Sequence, residues 1–383
     1  MTHEFQVEAL DVGLRVEVAG MSRTDFRRLC AQWRRVAGHG TPSATISAVL
    51  GERVAGANIS GLDFDEISVA LRQTINRRAI ESRRKELLML HAAGLADPET
   101  GDVIALIGPS GAGKTTVAST LGTVLGYVSD ETVAVDAAGR VHPFPKPLAI
   151  KQRHTLRKRI AGPDALGLME VHTPLRLTRL ALLDRREERV APTVTTRGLE
   201  EVADLLIEQT SYFASLPRAL QRLDALVRVS GGVHVIRYHH AADLVEPVSE
   251  LLRRPAVHLS PVEVADVSGS AADSGTLLPG SYGRAEIDDW IEVGGEVLVL
   301  SDGRISRLSQ LGSLLWMALR TPLPVEELVA RAEAAFGPAP DDAARITVHM
   351  LDDLTAAGLV RVVNPDESLR DNARRDEMSL RRG

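Results

Sequence analysis

The residues best suited to chemistry form one contiguous stretch, Gly108–Thr116, which reads Gly-Pro-Ser-Gly-Ala-Gly-Lys-Thr-Thr. It fits the pattern G-x-x-x-x-G-K-[ST] without a mismatch, with an apolar run before it and a helical run after it. Glycines let successive backbone N–H groups turn inward around phosphate oxygens. Lys114 would reach the β- and γ-phosphates, and Thr115 would place its hydroxyl on Mg²⁺. The sequence therefore predicts a phosphate-binding loop for ATP and Mg²⁺ rather than a glycine-rich turn that binds nothing. The predicted nucleotide-binding residues are Gly108, Ser110, Gly111, Ala112, Gly113, Lys114, Thr115 and Thr116.

Motors, switches and kinases share this loop, so the motif alone does not name a reaction. A phosphoryl-transfer enzyme also needs a carboxylate near the γ-phosphate and the metal, to orient or deprotonate the acceptor hydroxyl. Asp130 is the best candidate, because it follows a predicted strand shortly after the loop helix and is followed by Glu131. One carboxylate would then face the acceptor and the other the metal; the alternative is a solvated turn with two acids. Asp136 is a weaker candidate, because a hairpin turn explains its Asp-Ala-Ala-Gly setting.

The order of four segments resembles the HPr kinase/phosphorylase superfamily, and most closely its stand-alone HPr kinase-like members. The four segments are His91-Ala92-Ala93, Gly108–Thr116, Ser129-Asp130-Glu131 and His142-Pro143-Phe144-Pro145-Lys146-Pro147. The resemblance covers roughly residues 1–250. It implies a P-loop kinase domain of the HPr kinase/PEP-carboxykinase-like type with a mixed sheet.

The same resemblance assigns roles to single residues. It implies that Asp130 is the base that accepts the proton of a serine hydroxyl. It also implies that His91, which would otherwise be a buried core histidine, orients or tunes that carboxylate. The predicted catalytic residues are therefore Asp130, His91 and Lys114, and the predicted metal residues are Thr115 and Glu131. HPr kinases proper have Asp-Asp where this chain has Asp-Glu, so the metal geometry and the reverse phosphorylase reaction stay open. The chain shows no counterpart of the separate HPr kinase amino-terminal domain, and the region after Lys151 is diverged, so HPr is not the predicted substrate.

A second resemblance covers residues 277–363, which are similar to the PqqD-like family. The stretches that carry it are 297–309, 314–316, 324–328 and 351–360. That family has three strands followed by three helices and forms the peptide-recognition element of many modified-peptide (RiPP) biosynthesis enzymes. A leader peptide adds there as a strand to an exposed sheet edge. The resemblance implies a small α+β, winged-helix-like domain that binds a precursor peptide, with a packing module that binds no peptide as the alternative.

These sites need elements to position them, and apolar periodicity predicts an α/β fold. Strands are predicted at 11–20, 44–50, 87–93, 103–107, 127–128, 132–135 and 233–238. Helices are predicted at 22–36, 63–84, 199–210, 217–229 and from the loop to about Leu125. Tight turns join several neighbouring strands, so the sheet is predicted to be mixed. The C-terminal part is predicted to contain strands at 289–293, 296–300, 305–308 and 359–363 and helices at 310–319, 324–336 and 343–357.

Length and composition set the frame for these elements. The 383 residues are 44% hydrophobic and 25% charged, as in an ordinary globular protein of two or three domains. We predict a catalytic domain at 1–252, a flexible linker at 253–276, the recognition domain at 277–363 and a disordered tail at 364–383. The net charge of -6 does not favour binding to nucleic acid or to an anionic membrane. No signal peptide or membrane-spanning stretch is visible, so a cytoplasmic location is expected.

The combined hypothesis is an ATP-dependent kinase. It would transfer the γ-phosphoryl group to a hydroxyl, of the Ser or Thr type, on a precursor peptide or small protein held by the recognition domain. Two other functions stay open: an ATP-binding switch that presents peptides without phosphoryl transfer, and a small-molecule kinase with a regulatory C-terminal domain. The expected partners are ATP, Mg²⁺ and a leader peptide, without nucleic acid or membrane. The sequence leaves open whether the chain forms a homo-oligomer.

Overall fold

The computed structural model describes residues 2–52, 56–151, 158–172, 174–255, 280–337 and 342–363. The chain divides into two compact units. The first comprises Met1–Leu216 and Arg222–Ser260, and the second comprises Pro217–Gln221 and Pro261–Gly383. Most of the predicted linker at 253–276 and the whole predicted tail at 364–383 lie outside the described residues. The domain limits drawn from the sequence therefore stay predictions.

The described residues form an α/β structure with several sheets. The helices are α1 Arg23–Gln32, α2 Phe64–Arg83, α3 Lys114–Leu121, α4 Leu199–Glu208, α5 Ala219–Ser230, α6 Val245–Arg253, α7 Gln310–Ala318, α8 Val325–Phe336 and α9 Ala343–Ala356. The first strands are β1 Thr2–Ala9, β2 Val12–Ala19, β3 Ala44–Leu50, β4 Ile59–Gly61, β5 Leu88–Leu90, β6 Ala92–Ala96, β7 Asp102–Ile107, β8 Gly126–Ser129, β9 Val133–Val135 and β10 Val141–His142. The later strands are β11 Leu148–Lys151, β12 Lys158–Ala161, β13 Arg176–Arg185, β14 Thr193–Arg197, β15 Thr210–Ser211, β16 Val233–Tyr238, β17 Ser281–Arg284, β18 Asp289–Val293, β19 Glu296–Ser301, β20 Arg304–Arg307 and β21 Val360–Val363.

The amino-terminal layer is a four-stranded sheet in the order β1-β2-β3-β4. Side chains of β2 alternate between buried and half-buried, as the sequence pattern predicts for a strand that covers a core. Helix α2 starts at the N-cap Asp63, whose side chain accepts a hydrogen bond from the N–H of Glu66. The buried side chains Ile67, Leu71 and Ile75 of α2 belong to the same core as the strands. This packing holds α2 in place, and α2 in turn positions Arg72 at the candidate site described below.

The phosphate loop extends from a six-stranded sheet in the order β14-β16-β13-β7-β6-β8. Strands β16, β13 and β7 are parallel, whereas β6 is antiparallel to β7 and β14 is antiparallel to β16. The mixed sheet predicted from the sequence is therefore confirmed. Helix α3 contributes Val117, Ala118 and Leu121 to the core on one face of this sheet.

Three predicted elements differ from the structure. The helix predicted at 22–36 ends at Gln32 and is followed by a separate 3-10 turn, Arg34–Val36. The single strand predicted at 87–93 is two strands in different sheets, because β5 pairs with β9 and β15 whereas β6 pairs with β7 and β8. Both pieces are buried, so the apolar run contained no visible break. The helix predicted to reach Leu125 ends at Leu121, since Gly122 follows as its C-cap. The N–H of Met169 donates a hydrogen bond to the carbonyl oxygen of Gly122 at 2.6 Å.

The second unit contains a meander of β18, β19 and β20 and a separate pair formed by β17 and β21. Helices α7, α8 and α9 pack with the sheets around a core that includes Trp316, Leu315 and Leu351. The predicted strands and the three helices are present, but β17 was not predicted. Trp316 is a core residue as expected. None of the described helices is both long and apolar enough to cross a membrane.

Candidate nucleotide site and peptide-recognition unit

The phosphate loop lies between β7, which ends at Ile107, and α3, which begins at Lys114. Gly113 is the N-cap of α3 and has a φ of 91°, in the left-handed region that favours glycine. A Cβ on Gly108 would lie 2.9 Å from the Cβ of Ala112, so a side chain there would fill the loop. The local geometry therefore fits the cradle that the motif predicts.

The side chain of Lys114 folds back onto its own loop. Its Nζ donates hydrogen bonds to the carbonyl oxygens of Gly108 at 2.5 Å and Pro109 at 3.1 Å. Burial lowers the pKa of Lys114, and the charges of Glu131 and Asp130 oppose that shift. The ammonium group is thus held within the loop, where phosphate oxygens could replace the two carbonyls.

Asp130 follows β8, and its side chain is fully buried beside the loop helix. Thr115 Oγ1 donates to Asp130 Oδ2 at 3.3 Å. Lys146 Nζ lies 2.9 Å from Asp130 Oδ1 and 2.8 Å from Glu131 Oε2, so it bridges both carboxylates. Arg72 Nη2 lies 2.9 Å from Asp130 Oδ2 and 3.1 Å from Glu131 Oε2. We call Arg72, Asp130, Glu131 and Lys146 the charge cluster.

Both acids of the charge cluster are ionised at neutral pH. Burial acts to raise the pKa of Glu131, but Lys146 and Arg72 outweigh it and lower that pKa to about 2. The pKa of Asp130 is also lowered, because the same two cations overcome the effect of its burial. The side chain of Glu131 keeps 32% of its exposure, whereas that of Asp130 has none. The two predicted acids therefore differ chiefly in access to solvent.

The oxygen atoms around Thr115 suit a magnesium ion that arrives with a nucleotide. Hydroxyl and carboxylate oxygens are the ligands that Mg²⁺ prefers, and in nucleotide sites one or two carboxylates suffice beside phosphates and water. Within the described residues, no group of three or more His, Cys, Asp or Glu side chains could hold a metal ion. Of the predicted metal residues, Thr115 contacts Asp130 directly. Glu131 contacts Lys146, the residue that bridges the two acids.

His91 lies at the corner where the chain passes from β5 to β6. Its backbone N–H donates to the carbonyl oxygen of Gln209 at 2.7 Å, and the next N–H, of Ala92, donates to the carbonyl oxygen of Glu131 at 3.1 Å. Burial lowers the pKa of the imidazole, and the charge of Lys114 lowers it further, while Glu131 opposes the shift. The imidazole is therefore neutral at neutral pH. The structure brings it close to Lys114 and Glu131.

Arg72 and Lys146 are site residues without a role predicted from the sequence. Lys146 carries a usable signal, because it stands between two prolines in a chain with only five lysines. The signal for Arg72 is fainter: an arginine inside the buried stripe of α2, directly after Leu71. Asp136 is explained as expected, since its Oδ1 accepts from the N–H groups of Ala138 and Arg140 in a tight turn.

The opposite side of the loop is bordered by β13 and β16. Tyr238, the last residue of β16, donates from its hydroxyl to the carbonyl oxygen of Ala112 at 2.9 Å. Burial raises the pKa of Tyr238, and the charge of Arg185 opposes that rise. The loop is therefore supported by a buried tyrosine on this side and by the charge cluster on the other.

The second unit offers an exposed strand edge. Strand β20 ends the order β18-β19-β20, and among the described residues no further strand pairs with it. Its four residues are exposed or half-buried. A cavity of about 400 Å³ lies near the β18–β19 turn, and its apolar lining includes Leu314, Met317 and Phe336. An extended peptide needs such features: a free backbone edge and a pocket for side chains.

A half-buried arginine of the second unit packs against two tryptophans. The guanidinium of Arg284 lies 5.0 Å from the ring centroid of Trp290 and 4.6 Å from that of Trp316. Its Nε donates to the carbonyl oxygen of Trp316 at 2.8 Å. Burial lowers the pKa of Arg284 to about 10, and the charge of Arg320 adds to that effect. The arginine therefore acts as a packing element between two indole rings.

Residues 296–360 match the protein-family model described as coenzyme PQQ synthesis protein D (PqqD). The match covers β19 through α9 and the first residue of β21, which is less than a fifth of the chain. It confirms the resemblance of the C-terminal part to the PqqD-like family. No curated protein matches the chain. The resemblance of residues 1–250 to HPr kinases stays a prediction.

Proposed function

We propose that the chain is an ATP-dependent kinase that phosphorylates a hydroxyl of a precursor peptide held by its PqqD-like unit. The observation that carries the proposal is the charge cluster. Two acids are fixed by two buried cations, and one of the acids, Asp130, accepts a hydrogen bond from Thr115 of the loop. A loop that only bound nucleotide would not need a second acid beside it, whereas phosphoryl transfer needs a carboxylate at the acceptor as well as one at the metal.

The residues of the loop would bind the triphosphate. Lys114 and the N–H groups at the start of α3 would hold its terminal phosphates, aided by the helix dipole. Thr115 and one acid of the charge cluster would hold Mg²⁺, which supplies charge neutralisation for the phosphates when it is bound. Lys146 and Arg72 keep both acids ionised and fixed in orientation.

The transfer balances in atoms and charge. The acceptor oxygen forms a bond to the γ-phosphorus, the bond from that phosphorus to its bridging oxygen breaks, and ADP leaves with the bridging electrons. The acceptor proton passes to a carboxylate, which we assign to Asp130. Its low pKa makes it a weak base, so it would mainly orient the hydroxyl, as a loose transition state requires. Glu131 is the second candidate for this role, because its side chain is the more exposed of the two.

The PqqD-like unit would supply the acceptor. The free edge of β20 can receive the leader segment of a precursor peptide through backbone hydrogen bonds. Capture on a tethered unit raises the local acceptor concentration to about the millimolar range for a short flexible connection. A weak grip on the acceptor hydroxyl would then suffice at the nucleotide site.

The test is direct transfer. The full chain is incubated with Mg²⁺, ATP labelled in the γ-phosphate and a precursor peptide encoded beside it. Mass spectrometry then looks for one added phosphoryl group. We expect phosphorylation of the full peptide, a large loss of kcat/KM for the same peptide without its leader, and none with Lys114→Ala. Nucleotide binding without any product would favour the peptide-presenting switch. Equal rates with and without the leader would favour a kinase that does not use the C-terminal unit.

A further inference from the structure

Strand β13 brings an arginine to the phosphate loop from the side opposite the charge cluster. The strand is parallel to β7, with Leu182 opposite Ile107, so its carboxyl end lies beside the start of the loop. A Cβ placed on Gly108 would lie 3.6 Å from the Cβ of Leu183, so the loop and β13 are within contact distance here. Arg185 is the last residue of this strand.

The pleat of β13 determines which way Arg185 faces. Residues two apart in a strand share a face, so Arg185 lies on the same face as Ala181 and Leu183. Both of these residues belong to the core that contains Val117 and Ala118 of α3. Arg185 therefore continues the face covered by α3, at the end where that helix begins and where the loop would hold phosphate.

Two measurements place the side chain against the loop. Its Cδ lies 3.9 Å from the position that a Cβ would take on Gly113, the N-cap of α3. The same position is 3.3 Å from the hydroxyl oxygen of Tyr238, whose pKa the charge of Arg185 lowers against the effect of burial. The backbone at this point is fixed, because the N–H of Arg186 donates to the carbonyl oxygen of Tyr238 at 2.7 Å.

Within the part of the chain that the structure describes, the side chain of Arg185 has no counter-ion. Its neighbours Arg186 and Arg237 both pair with Asp184, at 2.7 Å and 3.2 Å. The residue is exposed, and its guanidinium makes no ion pair or hydrogen bond with any of the described residues. A free guanidinium beside the positive end of a helix is unfavourable unless an anion joins them, and a planar guanidinium suits phosphate oxygens.

We propose that Arg185 binds the terminal phosphate oxygens of the nucleotide and stabilises the charge that develops on the γ-phosphoryl group. The inference rests on the proposed kinase function. It places an exposed cation on one side of β7 and the buried charge cluster on the other. Arg186 has the same chemistry one residue later but already pairs with Asp184, so it provides a matched control.

The experiment compares two probes on the full chain with Mg²⁺ by calorimetry: ADP, and the β,γ-imido analogue of ATP, which carries the third phosphate. We expect Arg185→Ala to weaken binding of the analogue about 10- to 100-fold, as for the loss of a charge-assisted hydrogen-bonded contact, and to change ADP binding by less than about threefold. Arg185→Lys should recover part of the loss. Arg186→Ala should leave both affinities within about twofold of the wild type.

The results of this experiment test the role of Arg185 and the proposed kinase function separately. If Arg185→Ala behaves like Arg186→Ala with both probes, the assignment of Arg185 is wrong, whatever the chain catalyses. If the selective loss for the analogue is seen but the wild type transfers no phosphoryl group, Arg185 is a triphosphate-binding residue and the kinase proposal falls. Both positions are exposed, so thermal unfolding of the variants should match the wild type within a few degrees.

Discussion

The two units of the chain accommodate buried positive charge in different ways. In the first unit, Arg72 and Lys146 are buried against two carboxylates at distances of 2.8 to 3.1 Å. In the second unit, Arg284 is half-buried between two indole rings and, among the described residues, has no carboxylate partner. Both arrangements shield a cation from water, the second only in part, and only the first places anions beside it.

The difference distinguishes the charge cluster, a candidate functional site, from Arg284, which packs against the core. A buried ion pair gains little net stability, because desolvation of both partners offsets their attraction, and apolar side chains of similar volume often serve as well. Under the proposed function, its presence beside the predicted phosphate loop serves to fix the carboxylates rather than to stabilise the fold. A guanidinium stacked on indole rings, with its Nε on a carbonyl oxygen, fills space and satisfies its hydrogen bonds within the core.

The largest expected effect concerns the acids of the first unit. Asp130→Asn keeps the shape of the side chain but removes its charge, so we expect nucleotide to bind while transfer falls about 10³- to 10⁴-fold, which corresponds to about 4 to 5 kcal/mol. Single-turnover transfer measured beside nucleotide affinity checks this. Asp136→Asn is the control and should stay near wild type, since Asn also supports a tight turn. Near-normal turnover in Asp130→Asn would move the role of base to Glu131.

The next effect is on stability. Arg72→Met leaves Asp130 buried with one of its two cations missing, and breaking a buried pair on one side costs about 3 to 5 kcal/mol. The free energy of unfolding from denaturant titration measures the loss. Arg78→Met, an exposed position on the same helix, should change it by less than about 0.5 kcal/mol. A loss as small as that of the control would mean that the charge cluster does not depend on α2.

The corresponding arginine-to-methionine substitution in the second unit should lower the free energy of unfolding by less. Arg284→Met removes contacts with two rings, the hydrogen bond to the carbonyl oxygen of Trp316 and a weak one to Met317 Sδ, but leaves no charge unpaired. We therefore expect a loss of about 1 to 2 kcal/mol. Arg320→Met, at the exposed neighbour, should be neutral or slightly stabilising, because it relieves repulsion between two arginines. Unfolding of the two variants, followed by tryptophan fluorescence, would test the contrast. Equal losses for Arg284→Met and Arg72→Met would remove the distinction drawn between the units.

The smallest effect is a dependence on pH. The pKa of Glu131 is lowered to about 2 in the folded chain, from 4.5 when unperturbed. Its ion pairs therefore add stability above pH 4.5, and this contribution is lost as the pH falls towards 2. Glu131→Gln should lie below the wild type by about 1 kcal/mol at pH 7, since solvent screens a partly exposed pair, and the gap should close on acidification. A difference in unfolding free energy between the wild type and Glu131→Gln that stays constant down to pH 3 would contradict the lowered pKa of Glu131.

The parts of the site that lie close together along the chain could be predicted from the sequence. The loop from Gly108 to Thr116 and the strand and helix beside it follow from local patterns. Asp130 and Glu131 follow from the return of the chain after α3. The second unit was also predictable, because its apolar spacing is regular over many residues. Its strand and helix order agreed with the structure to within about two residues at each end.

The parts of the site that depend on contacts between distant segments could not be predicted. Arg72 is 58 residues from Asp130 in sequence, and no local pattern shows that α2 turns its arginine towards the loop. The change of sheet at His91 was missed for a related reason. An apolar run records burial but does not show which partner strand provides it, so β5 and β6 could not be told apart. Arg185 was missed because its role depends on the register of β13 against β7.

The corner at His91 also limits how the chain length can vary. Adding one residue there would reverse which face each side chain of β6 presents, and β6 pairs on both sides within its sheet. By contrast, the turn between β6 and β7, at Asp97–Gly101, is exposed over most of its length and could lengthen without disturbing either strand. Insertions during evolution should therefore accumulate at the turn, while the spacing across the corner stays constant.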